Sequence, residues 1–320
     1  MDSMTRRRFI GTTGMAAAAP LGSTLSAMTP QTPAATRGSG SVEKNVVFGK
    51  GGNTELHLDI YRPPPGTEKR MATIHLHGGG FTGGSKDTLV ERVPPYASRG
   101  YLAMAVQYRL AGDAKWPSQI EDVKAAIRWA RANAKSLGFD PDKIAVVGHS
   151  AGGHLALFAA GTGNRPEFEG KGGTPGVGTQ VAACIAYYPA TEVTPRADGT
   201  ANNLLPPGSD AAAHRAASPI TYITANFPPT VIFHGTADTT IPLESSERLF
   251  KQLRDVKVPV EFHAIEGVPH VFDSNKEYAE SAAALADFFI DRHLIHPRTW
   301  GPPAGGGGGN NRGGGNRGRG

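Results

Sequence analysis

Six short, continuously apolar runs recur along the chain at residues 72–77, 101–108, 143–147, 181–187, 230–233 and 258–264, with helical stretches between them. Runs of this length and composition read as strands. Because their apolar residues fall mostly side by side rather than at alternate positions, both faces of the sheet must be covered. Helices placed between successive strands then make crossovers, which predicts an α/β fold: a mostly parallel sheet with helices on both faces. The clearest helical stretch is 119–134, where Ile120, Val123, Ile127 and Ala130 share one face and Trp129 reads as packing. Upstream, 42–48 and 56–61 alternate apolar and polar residues around Gly51, Gly52 and Asn53, the pattern of an antiparallel hairpin. The hairpin brings the expected sheet to eight strands. A hydrophobic content of 39% supports one sizeable core, assigned to a single domain over residues 37–300.

The run 143–147 ends in Gly148-His149-Ser150-Ala151-Gly152, and an Ala/Leu-rich helical stretch follows at once. A serine on a sharp strand-to-helix turn projects its hydroxyl above the sheet, and small neighbours are needed because the turn is strained. Ser150 is therefore the candidate nucleophile. Such a serine needs a base, an orienting acid and donors for a developing oxyanion. The 72–77 strand runs directly into Gly78-Gly79-Gly80-Phe81, whose uncovered N–H groups are free to turn inward. Gly79 and Gly80, with Ala151, are the candidate oxyanion donors. Asp238 lies in the turn leaving the 230–233 strand, where a carboxylate orients a histidine. His270 lies in the loop after the last strand and is the candidate general base. The chain order Ser150, Asp238, His270 is the one expected of a hydrolase built on such a sheet.

On these residues the chain resembles the α/β-hydrolase superfamily of serine esterases over about 42–294. The closer likeness is to small bacterial feruloyl-esterase-like and carbohydrate acetylesterase proteins. It is carried by His77-Gly78-Gly79-Gly80-Phe81 with Gly84-Ser85-Lys86, by Gln107-Tyr108-Arg109-Leu110, and by Trp116-Pro117 leading into the 119–126 helix. Gly148-His149-Ser150-Ala151-Gly152-Gly153-His154-Leu155-Ala156 completes it. The resemblance implies a three-layer fold with a small cap loop, a Ser150-His270-Asp238 triad and no cofactor. It implies packing and turn roles for His149 and His154. Phe81, Tyr188 and His149 are the candidate substrate-binding residues, and Asn202, Asn203 and Leu204 are further candidates for the pocket wall. The stretch 191–218 has no convincing period and is where a cap would sit. The Gly-rich loop 167–180 reads as exposed.

The net charge of +5 sits at the ends. Arg6, Arg7 and Arg8 against Asp2 give +2 to residues 1–36, and Arg312, Arg317 and Arg319 give +3 to residues 301–320, so 37–300 is neutral. Nothing in that balance argues for nucleic acid. Thr5-Arg6-Arg7-Arg8-Phe9-Ile10 followed by a mild Ala/Gly-rich stretch matches a twin-arginine signal, with cleavage expected within 27–35. The apolar stretch is too short to span a bilayer, which needs about 20 apolar residues. A periplasmic or secreted protein is expected. The Gly/Arg tail 301–320 reads as disordered, and an exported chain would seldom meet the RNA that such a tail can bind. Cys184, alone in the chain, reads as buried packing. His75 and His77 do not complete a recognised metal spacing, and His77 reads as a prop for the glycine loop.

The expected function is hydrolysis of a carboxylic ester, an acetyl or feruloyl group on carbohydrate first among them. A general short-chain carboxylesterase and an amide or formamide hydrolase share the same triad. A non-catalytic binding protein on this scaffold is the rival from another class, and an intact triad argues against it. The expected partner is a small-molecule or polysaccharide ester, and the oligomeric state stays open.

Overall fold

The computed structural model describes residues 40–163, 165–194 and 203–299. The signal assigned to 1–36, the tail 301–320 and Asn202 lie outside the described residues.

Eight strands form one sheet: β1 (Val42–Gly51), β2 (Thr54–Tyr61), β3 (Ala72–Leu76), β4 (Leu102–Val106), β5 (Ile144–His149), β6 (Ala183–Tyr187), β7 (Thr230–Gly235) and β8 (Val260–Ile265). Their order is β1-β2-β4-β3-β5-β6-β7-β8. The β1–β2 and β2–β4 pairs are antiparallel, and every pair from β4 through β8 is parallel. The hairpin turns at Gly52 and Asn53, and Gly52 takes the positive φ of 60° that lets so tight a turn close. The helices are α1 (Pro94–Ser98), α2 (Ser118–Ala132), α3 (Ala134–Leu137), α4 (Ala151–Gly161), α5 (Ala211–Ala216), α6 (Leu243–Asp255) and α7 (Lys276–Ile290).

The side-chain period of two divides each central strand between two cores. Ile74, Met104, Val146, Cys184 and Ile232 point to the face covered by α2, α4 and α6. Ala103, Ala105, Val147, Ile185 and Phe233 point to the other face, against α1 and α7. This is why those runs lack alternation. Each fully buried Leu, Ile or Phe contributes about 1.5–3 kcal/mol, and both sides of the sheet collect that term. On α2, the predicted face of Ile120, Val123, Ile127 and Ala130 is fully buried. Helix α4 is buried on all sides over its first nine residues, so it has no polar face to turn outward. No helix among the described residues is long and apolar enough to cross a membrane.

One expectation is corrected. The loop 167–180 is not simply exposed: Lys124 and Arg128 on the buried face of α2 reach Glu169 at 2.8 and 2.7 Å. Lys124 also donates to the Thr162 carbonyl at 2.5 Å, and Thr179 donates to Glu169 at 2.7 Å. Two buried cations need an anion, and the glycines let the loop come close enough to supply one. Within 191–218 the chain forms α5, capped by the Asp210 side chain on the Ala213 N–H at 2.8 Å. A helix of six residues is too short to display a period.

Candidate active site

The carboxyl ends of β5, β7 and β8 bring three segments together. Strand β5 leads straight into α4, and Ser150 occupies the corner with φ 56° and ψ −116°. The corner closes only because its flanking glycines have no side chains. A Cβ on Gly148 would lie 2.0 Å from the Gly152 carbonyl oxygen, and one on Gly152 would lie 2.2 Å from that of Leu76. Ser150 thus stands at the N-terminus of α4, where partial positive charge accumulates.

Asp238 and His270 meet because the turn after β7 and the loop after β8 are sewn together. Thr236 N–H donates to the Ile265 carbonyl at 2.9 Å and Ala237 N–H to that of Val268 at 3.1 Å. Gly235 has room for no side chain against the Val268 carbonyl, 2.2 Å from where a Cβ would stand. As a result Ser150 Oγ is 2.9 Å from His270 Nε2, and His270 Nδ1 is 2.6 Å from Asp238 Oδ2. The Asp238 side chain is fully buried. Its Oδ1 accepts from the N–H groups of Thr240 at 2.8 Å and Ile241 at 3.0 Å. Burial works against its charge, yet the Ile241 N–H and His270 outweigh it, and the carboxyl is held below its usual range. His234 Nε2 lies 3.1 Å from Asp238 Oδ2 and 3.0 Å from the Ile241 carbonyl, while its Nδ1 meets Ser246 Oγ at 2.7 Å. Burial lowers the pKa of His234, which therefore braces Asp238 as a neutral ring.

Gly79 and Gly80 adopt φ of 119° and 59°. At Gly79 a Cβ would stand 2.2 Å from the Gly83 carbonyl oxygen, so only glycine fits. The N–H groups of Gly79, Gly80 and Ala151 donate to no acceptor among the described residues. Free backbone donors beside a serine are what an oxyanion needs. His77 stacks on Tyr108, with ring centroids 4.2 Å apart, and its Nδ1 lies 2.8 Å from the Gly78 carbonyl. This matches its expected place under the loop.

A cavity of about 380 Å³ opens over these groups, lined by Gly78–Gly80, His149, Ser150, Tyr188 and His270, with Arg92, Thr88 and Thr240 on its walls. Of the candidate substrate residues, Tyr188 and His149 line it. Phe81 does not: it is buried in the core with its ring edge-on to His154 at 5.1 Å. Its own positive φ of 65°, after two glycines of positive φ, turns it away. Leu204 is likewise in the core, and Asn203 is exposed with its carbonyl taken by Lys115. Neither walls the cavity. His149 stacks on Tyr187 at 4.6 Å, and burial holds its pKa down.

Sequence reasoning missed Arg92, Asp273 and His234. Asp273 Oδ1 accepts from Arg92 Nε at 3.1 Å and from the Tyr188 hydroxyl, and its Oδ2 is 2.7 Å from His149 Nδ1. No periodicity or motif singles these residues out. Among the described residues no group of three or more His, Cys, Asp or Glu is placed to hold a metal ion.

A sheet of this order with helices on both faces, and with the serine corner, carboxylate and histidine at the strand ends, defines an α/β-hydrolase fold. The BD-FAE family model matches residues 58–253, and the chain belongs to that family. It is 31% identical over 263 residues to a probable carboxylic ester hydrolase, LipM, of Mycobacterium tuberculosis, covering 77% of this chain and 60% of that protein. The curated relatives LipM, LipQ and LipC are longer, and the chain spans 60–64% of their length. Among solved structures, a truncated carbohydrate esterase from gut microbiota superposes with a TM-score of 0.69 at 25% identity, covering 81% of this chain and 98% of that one. The propionate-bound thermophilic esterase Est2 of Thermogutta terrifontis gives 0.68 at 31% identity, covering 83% and 98%.

Proposed function

We propose that this protein is an exported serine hydrolase that cleaves short-acyl esters of carbohydrate, acetyl or feruloyl, through an acyl-enzyme. The observation that carries the chemistry is the unbroken relay from Ser150 Oγ through His270 to the buried Asp238 carboxylate. His270 Nε2 takes the serine proton as Oγ attacks the ester carbonyl. Asp238 accepts the Nδ1–H, fixing the tautomer and stabilising the imidazolium that forms. The N–H groups of Gly79, Gly80 and Ala151 receive the oxyanion, and losing one such donor costs about 3 kcal/mol. His270 then returns the proton to the leaving alcohol, and water clears the acyl group by the reverse path.

The substrate class is supported by the BD-FAE match and by the likeness to an esterase described as acting on carbohydrate. The likeness to Est2 with propionate bound, and a cavity of about 380 Å³, support a short acyl chain. The same likeness favours a second reading, a general short-chain carboxylesterase. The twin-arginine pattern at Arg6 and Arg7 supports export. Comparing p-nitrophenyl acetate, butyrate and octanoate with acetylated xylan and methyl ferulate tests the proposal. Preference for acetate together with release of acetate or ferulate from the natural polymer is expected. Efficient octanoate cleavage with no action on either polymer or ferulate would overturn the carbohydrate assignment.

A further inference from the structure

Asp273 lies three residues beyond His270 and is buried, with 1% of its surface exposed, yet acyl transfer makes no use of it. A buried carboxylate is costly unless it is paired and hydrogen-bonded. Its partners come from three separate segments, and each lines the cavity. Arg92 follows the glycine loop, His149 is the last residue of β5 beside Ser150, and Tyr188 follows β6. Arg92 is itself tied by Nη1 to the Thr88 carbonyl at 2.9 Å. The Tyr188 ring meets the His270 ring edge-on at 4.6 Å. Burial opposes the charge on Asp273, but His149, Arg92 and Tyr188 together hold its pKa down to about 2, so it is ionised wherever a histidine base works.

Between His270 and Asp273 the backbone is strained. Val271, a β-branched residue, takes φ 62°, a conformation that costs on the order of 1–3 kcal/mol and persists only where its surroundings impose it. Asp273, anchored on Arg92 and Tyr188, lies two residues further on.

We propose that Asp273 is a positioning residue for His270: by gripping Arg92 and the Tyr188 hydroxyl, with His149 Nδ1 2.7 Å from its second oxygen, it locks the base loop and clamps the Tyr188 ring against the imidazole. This rests on the reading of Ser150, His270 and Asp238 as an acyl-transfer triad.

The test compares the full chain with Asp273→Asn and with Tyr188→Phe, which keeps the ring and removes only the hydroxyl. Asp273→Asn leaves Arg92 without its anion and is the variant more prone to misfold, so Tyr188→Phe carries the test if it does. The readouts are kcat and KM for p-nitrophenyl acetate, melting temperature, and the downfield proton resonance of His270 Nδ1–H, identified by its loss in His270→Ala. A positional error near 1 Å costs about 100-fold, so Asp273→Asn is expected to lower kcat by roughly 10- to 100-fold. KM should stay within about twofold, and the proton resonance should broaden through solvent exchange. Tyr188→Phe should follow the same pattern more weakly, by about threefold or more in kcat. A folded variant with a lower melting temperature but unchanged kcat and an unchanged resonance would overturn the positioning role. If wild type hydrolyses no ester, the functional reading fails while the resonance still decides whether Asp273 holds the base.

Discussion

Gly152→Ala places one methyl group where the helix carrying the nucleophile meets the strand carrying the glycine loop. The new Cβ would stand 2.2 Å from the Leu76 carbonyl oxygen and 2.5 Å from that of His77. Real contacts of this kind seldom fall below 3.0 Å, so the start of α4 and the end of β3 must separate by nearly 1 Å. Both neighbours are backbone in a central parallel pair, so no side chain can swing aside. Overpacking of this kind costs about 1–3 kcal/mol, which for a domain of this size lowers the melting temperature by roughly 2–12 °C. The same displacement moves Ser150 and the Ala151 N–H relative to Gly79 and Gly80, and a 1 Å error in such an arrangement costs about 100-fold in kcat. Gly138→Ala, after α3 and outside the cavity, is the control for backbone strain alone. It has a positive φ of 85° but nothing within 4 Å of its Cβ position, and its cost should be about 1 kcal/mol. Thermal melts and p-nitrophenyl acetate kinetics on both variants decide the matter. A Gly152→Ala protein with the stability and kcat of wild type would refute the claim that backbone contact between α4 and β3 sets the serine corner.

Asp238→Asn preserves shape but removes the carboxylate that selects the His270 tautomer, and steady-state kinetics should show kcat about 10⁴-fold lower. Glu169→Gln strips the shared anion from buried Lys124 and Arg128 and is expected to cost about 3–5 kcal/mol by urea unfolding, without a comparable loss of kcat. Asp273, with its pKa depressed from 3.8 to about 2, and Asp238, also depressed, contribute stability that is complete above the ordinary carboxylate range. That contribution is lost as pH falls from about 4 toward 2, so urea midpoints should drop across this window, and Asp273→Asn should flatten the drop.

The parts of this protein that obey a local rule were readable from its residues. Strands β3 to β7 announce themselves because both of their faces are covered, which keeps Asp, Glu, Lys and Arg out of five or six positions at a time. Ser150 is legible because the corner demands glycine on either side, and His270 because it follows the last strand. The parts set by tertiary pairing were not readable. Asp273 is an acidic residue in a loop, indistinguishable in sequence from a cap, and Arg92 is one arginine among many. Only the fold reveals that they neutralise each other behind the cavity. The direction of Phe81 depends on three consecutive positive φ angles, at Gly79, Gly80 and Phe81. No alternation rule applies to such a stretch. The loop 167–180 looked exposed because its glycines carry no apolar signal, although they are what allow Glu169 and the Gly172 carbonyl to reach the cations of α2.

The most direct test of the central claim is hydrolysis of p-nitrophenyl acetate by the full chain and by its Ser150→Ala variant, with melting temperature recorded for both. The account predicts that wild type turns over and that the variant melts at the same temperature or higher, since a strained corner loses nothing by the change, while kcat falls by about 10⁶ toward background. Retention of a substantial part of the activity by folded Ser150→Ala would contradict it, because Ser150 Oγ is the hydroxyl hydrogen-bonded to His270 Nε2.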